Sequence, residues 1–279
     1  MTLVAFAALL FAGSLAAGFL GSLTGLGGGV VIVPLLTLVL GVDIRYAIGA
    51  SLMAVIATSS GAAASYVREG YTNIRIGMFL EIATTVGAIA GAFIATLISP
   101  SIIAVIFGAV LVYSSLLSLR GAHDVPREDD QPDPIASHLR LDGSYPTPEG
   151  IRSYHVHAVP AGFSLMTLAG ILSGLLGIGS GAVKVLAMDQ AMRIPFKVST
   201  TTSNFMIGVT AAASAGIYLN RGYIDPAIAM PVVLGVLAGS MIGARILVRA
   251  HPKNLRMVFA VVIFILAVEM IFNGITGRI

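Results

Sequence analysis

The chain has 279 residues, no cysteine or tryptophan, and 16 Lys and Arg against 13 Asp and Glu, a net charge of +3. Only 10% is charged and 57% is hydrophobic, with a mean hydropathy of +0.95, whereas a soluble domain is about one quarter charged. This excludes an ordinary soluble domain, and the missing cysteine excludes disulfides, thiolate metal sites and cysteine nucleophiles.

The opening "MTLVAFAALLFAG" has no basic n-region, so it reads as a first membrane helix and not a cleaved signal. Segment 3–24 reaches about 33 Å as a helix, enough for a hydrocarbon core of about 30 Å. "GLGGGVVIVP" at 25–34 breaks it, and segment 30–41, about 18 Å long, is too short to cross. Segments 47–67, 75–99 and 101–120 are each of spanning length. Residues 121–155, rich in Pro, Asp and Glu and without helical periodicity, read as a solvated, mobile connector. Beyond it, 157–176 spans, "GIGSG" at 177–181 breaks the helix again, and 182–192 is short. Segments 199–219, 224–250 and 253–273 complete the chain. The alternation of a membrane β-barrel is absent.

This order is a repeat. Shifting the chain by 152 residues lays "GFLGSLTGLGGGVVIV" (18–33) on "GILSGLLGIGSGAVKV" (170–185) without a gap. Ser51 then meets Ser203, Thr58 meets Thr210, Tyr66 meets Tyr218, Tyr71 meets Tyr223 and Pro100 meets Pro252. Residues 17–110 give 24 identities in 94 pairs, including matched Gly-Tyr loops that apolar composition does not produce. Lys and Arg orient the two copies. Placing the 68–75 loop, the connector and the loops after 192 and 245 on the cytoplasmic side puts 12 Lys and Arg inside and three, Arg45, Arg221 and Arg278, outside, with Lys184 within a segment. Matched loops thus prefer opposite faces. The expectation is an all-α polytopic membrane protein of two homologous repeats in inverted topology, residues 1–120 and 156–279. Each repeat has a glycine-broken helical hairpin plus three spanning helices; a parallel repeat is the alternative.

The glycine breaks admit three readings. A dinucleotide fingerprint needs glycine at Val30 and a preceding strand, and a Walker loop needs a Gly-Lys-Ser/Thr ending; neither is present. Close helix packing suits Gly87-x-x-x-Gly91 and Gly239-x-x-x-Gly243. At 25–29 and 177–181 each tract ends a spanning helix and starts a half-length one at matched places, the pattern that marks a carrier's binding site. Freed N–H groups and half-helix N-termini at Val30 and Ala182 favour an anion. Lys184, three residues past the second break, either contacts that anion or snorkels toward the face of Arg193. Ser51, and Thr201, Thr202, Ser203 and Asn204 at the start of the matching segment, supply donors, although back-bonding to their own helix is the commoner role. Glu81 is a candidate for ion coupling, with snorkelling as the alternative. All five His, at 123, 138, 155, 157 and 251, lie in the connector or at segment edges, which leaves no buried Ser–His pair or two-His metal site. Neither an enzyme nor a cofactor is expected, and nucleic acid is not an expected partner.

The duplicated glycine break with its apolar half-segment and Pro34, "AIGAS" against "TTTS", and "EGYTN" against "RGYID" resemble the TauE/SafE family of sulfite and organosulfonate exporters. The resemblance covers both halves. It implies a multi-pass carrier in a bacterial or archaeal inner membrane that exports small anionic sulfur compounds such as sulfite, sulfoacetate or related sulfonates. Carried over by position, the family's motifs fall on Gly25, Gly27, Gly28 and Gly29, on Gly177, Gly179 and Gly181 flanking Ser180, and on Ser51, Thr202 and Ser203. Two departures stand out: Leu186 replaces the equivalent of Pro34, and Lys184 replaces Ile32. Alternating access by movement of one repeat against the other is expected, with an anion channel or passive pore as the alternative. A second copy of the chain is left open as a partner beside the lipid bilayer.

Overall fold

The computed structural model describes residues 3–24, 28–68, 71–119, 133–147, 150–247 and 252–279, and their side chains except at 3, 21–24, 61–68, 117–119, 182, 244–247 and 252–259. Two stretches share one order of elements. The first is α1 (Leu3–Thr24), α2 (Gly29–Pro34) running into a π-helical turn at Leu35–Val39, α3 (Ile44–Arg68), α4 (Ile74–Leu97) and α5 (Pro100–Leu119). After α6 (Pro134–His138) and the strands β1 (Gly143–Thr147) and β2 (Gly150–Tyr154), the second is α7 (Val159–Leu176), α8 (Gly181–Leu186) with a π turn at Ala187–Ala191, α9 (Phe196–Asn220), α10 (Pro226–Leu247) and α11 (Pro252–Ile275). Both copies contain the π turn, one after Pro34 and one after Leu186, so the proline is not its cause.

The surface is that of a protein whose solvent is hydrocarbon. Ile74, Met78, Ile82, Val86, Ile89, Phe93 and Leu97 form an exposed apolar stripe along α4, and Val261, Phe264, Ile265, Val268 and Phe272 form one along α11. Ser, Thr, Glu81 and Lys184 are instead buried. Such apolar exposure is untenable in water. Over the described residues, Ile74–Leu97, Val159–Leu176 and Pro226–Gly243 are each long and apolar enough to cross a bilayer. The described apolar stretches of α1, α3, α5 and α11 are shorter.

The principal helix pairs join the two stretches: α1 with α10, α4 with α7, α5 with α11 and α3 with α9. Residues 1–120 and 156–279 therefore do not form separate bodies. Glycine permits these contacts, because backbone lies on backbone. A Cβ on Gly87 or Gly91 would strike the carbonyls of Thr167 and Ile171, and on Gly170 or Gly174 those of Thr84 and Ala88. At the α1–α10 seam, Gly235 meets Phe11 and Gly239 meets Leu15, while Gly18 meets Val236; the last two are 152 residues from Gly87–Thr167 and Gly170–Thr84. The packing role expected of Gly87, Gly91 and Gly239 is thus what they have. The order of these contacts makes α4 parallel to α7 and α1 parallel to α10.

The other two pairs are antiparallel. Gly108 faces Ala267 and Ile271 while Gly274 faces Ser101 and Val105. Arg45, at the start of α3, lies 5.6 Å from the Tyr223 ring just past α9. Lys197, at the start of α9, lies 3.7 Å from the Tyr71 ring just past α3. One cation–π contact therefore recurs at opposite ends of the molecule. Arg45 also donates to the Ile98 carbonyl at the end of α4 (2.9 Å). At this same end Ser101 Oγ donates to the Ile279 carbonyl (3.0 Å), and α1 begins there because it runs parallel to α10.

The connector read as solvated and mobile over 121–155 carries a short helix and a hairpin in its described part. Asp133 caps α6 by accepting from Ile135 N–H, and β1 and β2 pair antiparallel from Gly143↔Tyr154 to Thr147↔Gly150. Ala136, Leu141, Tyr154 and Val156 join a buried cluster with Ile76, Leu80, Met188, Met192 and Ile194. Asn73 is the hub. Its Oδ1 caps α4 by accepting from Ile76 N–H (3.1 Å), and its amide donates to the Tyr154 hydroxyl (2.7 Å) and the Leu141 carbonyl (3.3 Å). Burial pushes the Tyr154 phenol up to about 12.

Three outcomes follow. Gly170→Leu should destabilise the protein by at least about 2 kcal/mol, because the Thr84 backbone cannot move aside; a melting temperature in detergent equal to wild type would contradict this packing. Asn73→Ala should remove a cap that contributes about 1 kcal/mol and speed proteolysis within 133–156 with the helix content intact. The folded phenol pKa is raised above the ordinary 10.0, so hairpin docking should be complete below that pH and weaken as pH rises through about 12, read as accelerated cleavage of the same segment.

Candidate functional site

The second break is built from left-handed backbone. Gly177 (φ +67°), Gly179 (φ +71°) and Ser180 (φ +44°) all have positive φ, a region that glycine enters freely and serine only at a cost of about 1 kcal/mol or more. Gly177 N–H closes α7 on the Ser173 carbonyl (2.8 Å), and the chain re-enters helix when Lys184 N–H donates to the Ser180 carbonyl (3.1 Å). The N–H groups of the new first turn have no acceptor within their own helix. In the first copy, Val31 and Ile32 N–H both donate to the Gly28 carbonyl (3.1 Å each). Gly25 and Gly27 lie outside the described residues.

The two breaks touch. A Cβ on Gly29 would sit 2.7 Å from Ser51 Oγ and 3.0 Å from the Gly177 carbonyl. Ser51 Oγ donates to that carbonyl (2.8 Å), and its counterpart Ser203 donates to the Gly181 carbonyl (3.3 Å). A Cβ on Gly179 would meet Ile207 and Val55, which are themselves 152 residues apart. Beside this junction is a small cavity lined by Val30, Val110, Ser114, Ile178, Ser180, Gly181 and Val183. The first turns of both α2 and α8 thus open on one space. Ser180 is 3% exposed, and its Oγ has no hydrogen-bond partner.

The remaining sequence candidates divide. Thr201 Oγ1 donates back to the carbonyls of Lys197 and Val198, and Thr202 Oγ1 accepts from Asn73 N–H, so neither is turned to the cavity. Ser51 and Ser203 hold the break carbonyls, and their protons are spent there. Asn204 is half-buried and is not among the lining residues. Lys184 is fully buried but does not snorkel or line the cavity: Nζ donates to Thr210 Oγ1 (2.6 Å). Thr210 in turn donates to Glu81 Oε1 (2.7 Å), which also accepts from Thr85 Oγ1 (3.2 Å). Glu81 does not snorkel either, and its second oxygen is buried without a partner. A lysine and a glutamate 103 residues apart thus meet through one threonine. Sequence reasoning missed Ser114 on the cavity wall, where the pair Ser114–Ser115 in an otherwise apolar helix was the available signal. It also left Thr210 without a partner, since nothing local connects α4 to α8.

A sequence model of the family described as "Sulfite exporter TauE/SafE" matches residues 10–270. A probable membrane transporter protein, YunE of Bacillus subtilis strain 168, is 28% identical over 268 residues, covering 94% of this chain and 96% of that protein. A probable membrane transporter protein of Xylella fastidiosa strain 9a5c is 26% identical over 92% of both chains. The probable membrane transporter protein MJ0441 of Methanocaldococcus jannaschii is 25% identical over 91% of each. No solved structure matches. With the family model matching residues 10–270 and helices that turn apolar stripes outward, this chain is a membrane transporter of the TauE/SafE family.

Proposed function

We propose that the chain is a secondary transporter of small sulfur-containing anions, sulfite, sulfoacetate or a related organosulfonate, and that it works as an exporter in the inner (plasma) membrane. The anion is held at the paired helix breaks, Gly25, Gly27, Gly28, Gly29 and Val30 from the first copy and Gly177, Gly179, Ser180 and Gly181 from the second. The observation that carries this reading is that Val30 and Gly181, each in the first turn of a half-helix, line one cavity with the unpartnered Ser180 hydroxyl. Helix N-termini present partial positive charge and free N–H donors, and exposed backbone at membrane depth is tolerated where it lines such a space. Ser51 and Ser203 position the break backbone. Lys184 supplies positive charge from one turn away, and Glu81 serves ion coupling. Family membership supports the substrate class and direction.

The chain is multi-pass and made of two repeats in inverted topology, the connector facing the cytoplasm and both termini the opposite side. The antiparallel run of α3 and α9 and the matched contacts of Arg45 with Tyr223 and Lys197 with Tyr71 support this reading.

Ser180→Gly removes the hydroxyl while keeping the left-handed backbone, so it should weaken binding of sulfite or sulfoacetate about tenfold, the value of one hydrogen bond to a charged group, without lowering the melting temperature. Unchanged binding would remove Ser180 from the site, and binding of neither anion by wild type would reject the substrate class. Saturable counterflow in liposomes is expected of a carrier; its absence with sustained flux would make the protein a channel. Because the native chain has no cysteine, Ser144→Cys and Arg278→Cys should react with an impermeant maleimide from opposite faces, and reaction from one face would reject the topology.

A further inference from the structure

We infer that Glu81 and Lys184 form a proton site linked to the anion: one proton binds Glu81 with each anion that binds at the breaks. This rests on the anion site proposed above and adds the identity of the coupled ion and its stoichiometry.

The first support is the hydrogen bonding. Glu81 is 8% exposed and Lys184 fully buried. One carboxylate oxygen is used by Thr210 (2.7 Å) and Thr85 (3.2 Å), and the other is buried with no partner. A proton can therefore join the free oxygen without breaking any bond that the glutamate makes. Lys184 does not hold the carboxylate directly; both charges bond to the Thr210 hydroxyl. Lys184 is the charged group that faces Glu81. Its own helix α4 carries only Arg75 besides, an exposed residue at the connector end that donates to the Arg140 carbonyl. The packed helix α7 has no ionisable side chain. On α9, Lys197 is engaged with Tyr71 at one end and Tyr218 with the Gly174 carbonyl toward the other. Asp189 lies on the π turn that continues α8, five residues beyond Lys184.

The second support is the equivalent place at the 152-residue offset. The counterparts of Lys184, Thr210 and Glu81 at the 152-residue offset are Ile32, Thr58 and Val233. Ile32 is fully buried, and Val233 packs against the same apolar core. The fold fills that equivalent place with two aliphatic side chains, so packing does not need the charges here. Two ions withdrawn from water are costly, and ionisable residues at this depth mark function. Both members of the pair occur at one of the two equivalent places, Glu81 on α4 of the first stretch and Lys184 on α8 of the second.

The linkage follows from charge. Lys184 lies three residues past Gly181, about 4.5 Å along the helix axis, so an anion at the break feels its ammonium. While Glu81 is ionised it neutralises that ammonium and the anion is held weakly. When Glu81 takes a proton, the lysine charge is uncompensated and the anion becomes its counter-ion. Proton and anion each favour the other's binding by the same factor. On the far side the anion leaves, Glu81 gives its proton to water, and its carboxylate again balances Lys184. One proton and one anion move the same way, and a monovalent anion moves without net charge.

The probe is sulfoacetate, whose carboxyl and sulfonate both stay ionised between about pH 6 and 8.5, titrated calorimetrically into the purified protein in two buffers of different ionisation enthalpy. Expected are uptake of one proton per sulfoacetate on the alkaline side and an affinity that falls about tenfold per pH unit there. Glu81→Gln, a fixed mimic of the protonated acid, should bind at the wild-type acid-limit affinity with no proton uptake and no pH dependence. Lys184→Met should bind weakly and without protons. Sulfoacetate binding by wild type without proton uptake overturns this inference and leaves the anion site standing, and this holds even should the variants fail to fold. Proton uptake that persists in Glu81→Gln moves the proton elsewhere and also overturns it. No sulfoacetate binding at any pH overturns both readings.

Discussion

A peptide group in hydrocarbon must find a partner within the protein, and each that fails costs several kcal/mol. A helix broken in mid-course can exist only if something else receives its carbonyls and N–H groups. Here the Gly177 carbonyl receives Ser51 from α3, and the Gly181 carbonyl receives Ser203 from α9. Gly29 must be glycine because any side chain would displace that carbonyl and that serine. The second break is therefore held from two neighbouring helices, with α3 of the first half holding one of its carbonyls and α9 the other. Among the described residues, the Ser180 hydroxyl is buried without a partner at the small cavity beside this break.

The same constraint explains why the halves interlock. Lipid gives no hydrophobic drive for helices to associate, so close packing has to supply it, and small residues make that packing possible. The glycines on α4, α7, α1 and α10 are spent on contacts between the halves, backbone against backbone. Movement of one half against the other would open four such seams at once. The seams instead group α1, α3 and α10 on one side and α4, α7 and α9 on the other, joined through α3 and α9. Alternating access, if it uses rigid bodies, would pass between these mixed groups, with α5 and α11 paired beside them.

Much of this was legible before any coordinates. The 152-residue offset could be read because glycines that hold backbones together tolerate no substitution by size, so Gly18, Gly170, Gly87 and Gly239 keep it while the apolar residues between them differ. The breaks could be read because glycine tracts at spanning-helix ends are costly unless used. The hairpin at 143–154 was hidden because its strands are only five residues long and include Pro146. Its order comes from tertiary contacts, with Asn73 and the Ile76 cluster, that leave no periodic trace. Thr201 and Thr202 looked like donors because composition counts hydroxyls but not what they already bond; a threonine within a helix has its own carbonyls in reach.

Lys184 is where local reading and tertiary structure part most. Its neighbours in sequence suggested either an anion or an escape to the interface, and both options treat it as unpaired. Glu81, read alone, offered the same choice between chemistry and snorkelling. Neither ambiguity resolves separately, because a buried charge takes its meaning from what compensates it. Put together through Thr210, the two residues make a pair that is internally neutral yet easily unbalanced, since one threonine hydroxyl stands where a direct ion pair would otherwise be. The equivalent place at the 152-residue offset, with Ile32 on α2 and Val233 on α10, has no charge at either position. The two equivalent places thus serve as controls for each other: packing accounts for what they share, and the charged pair, present at one of them alone, is what packing does not require.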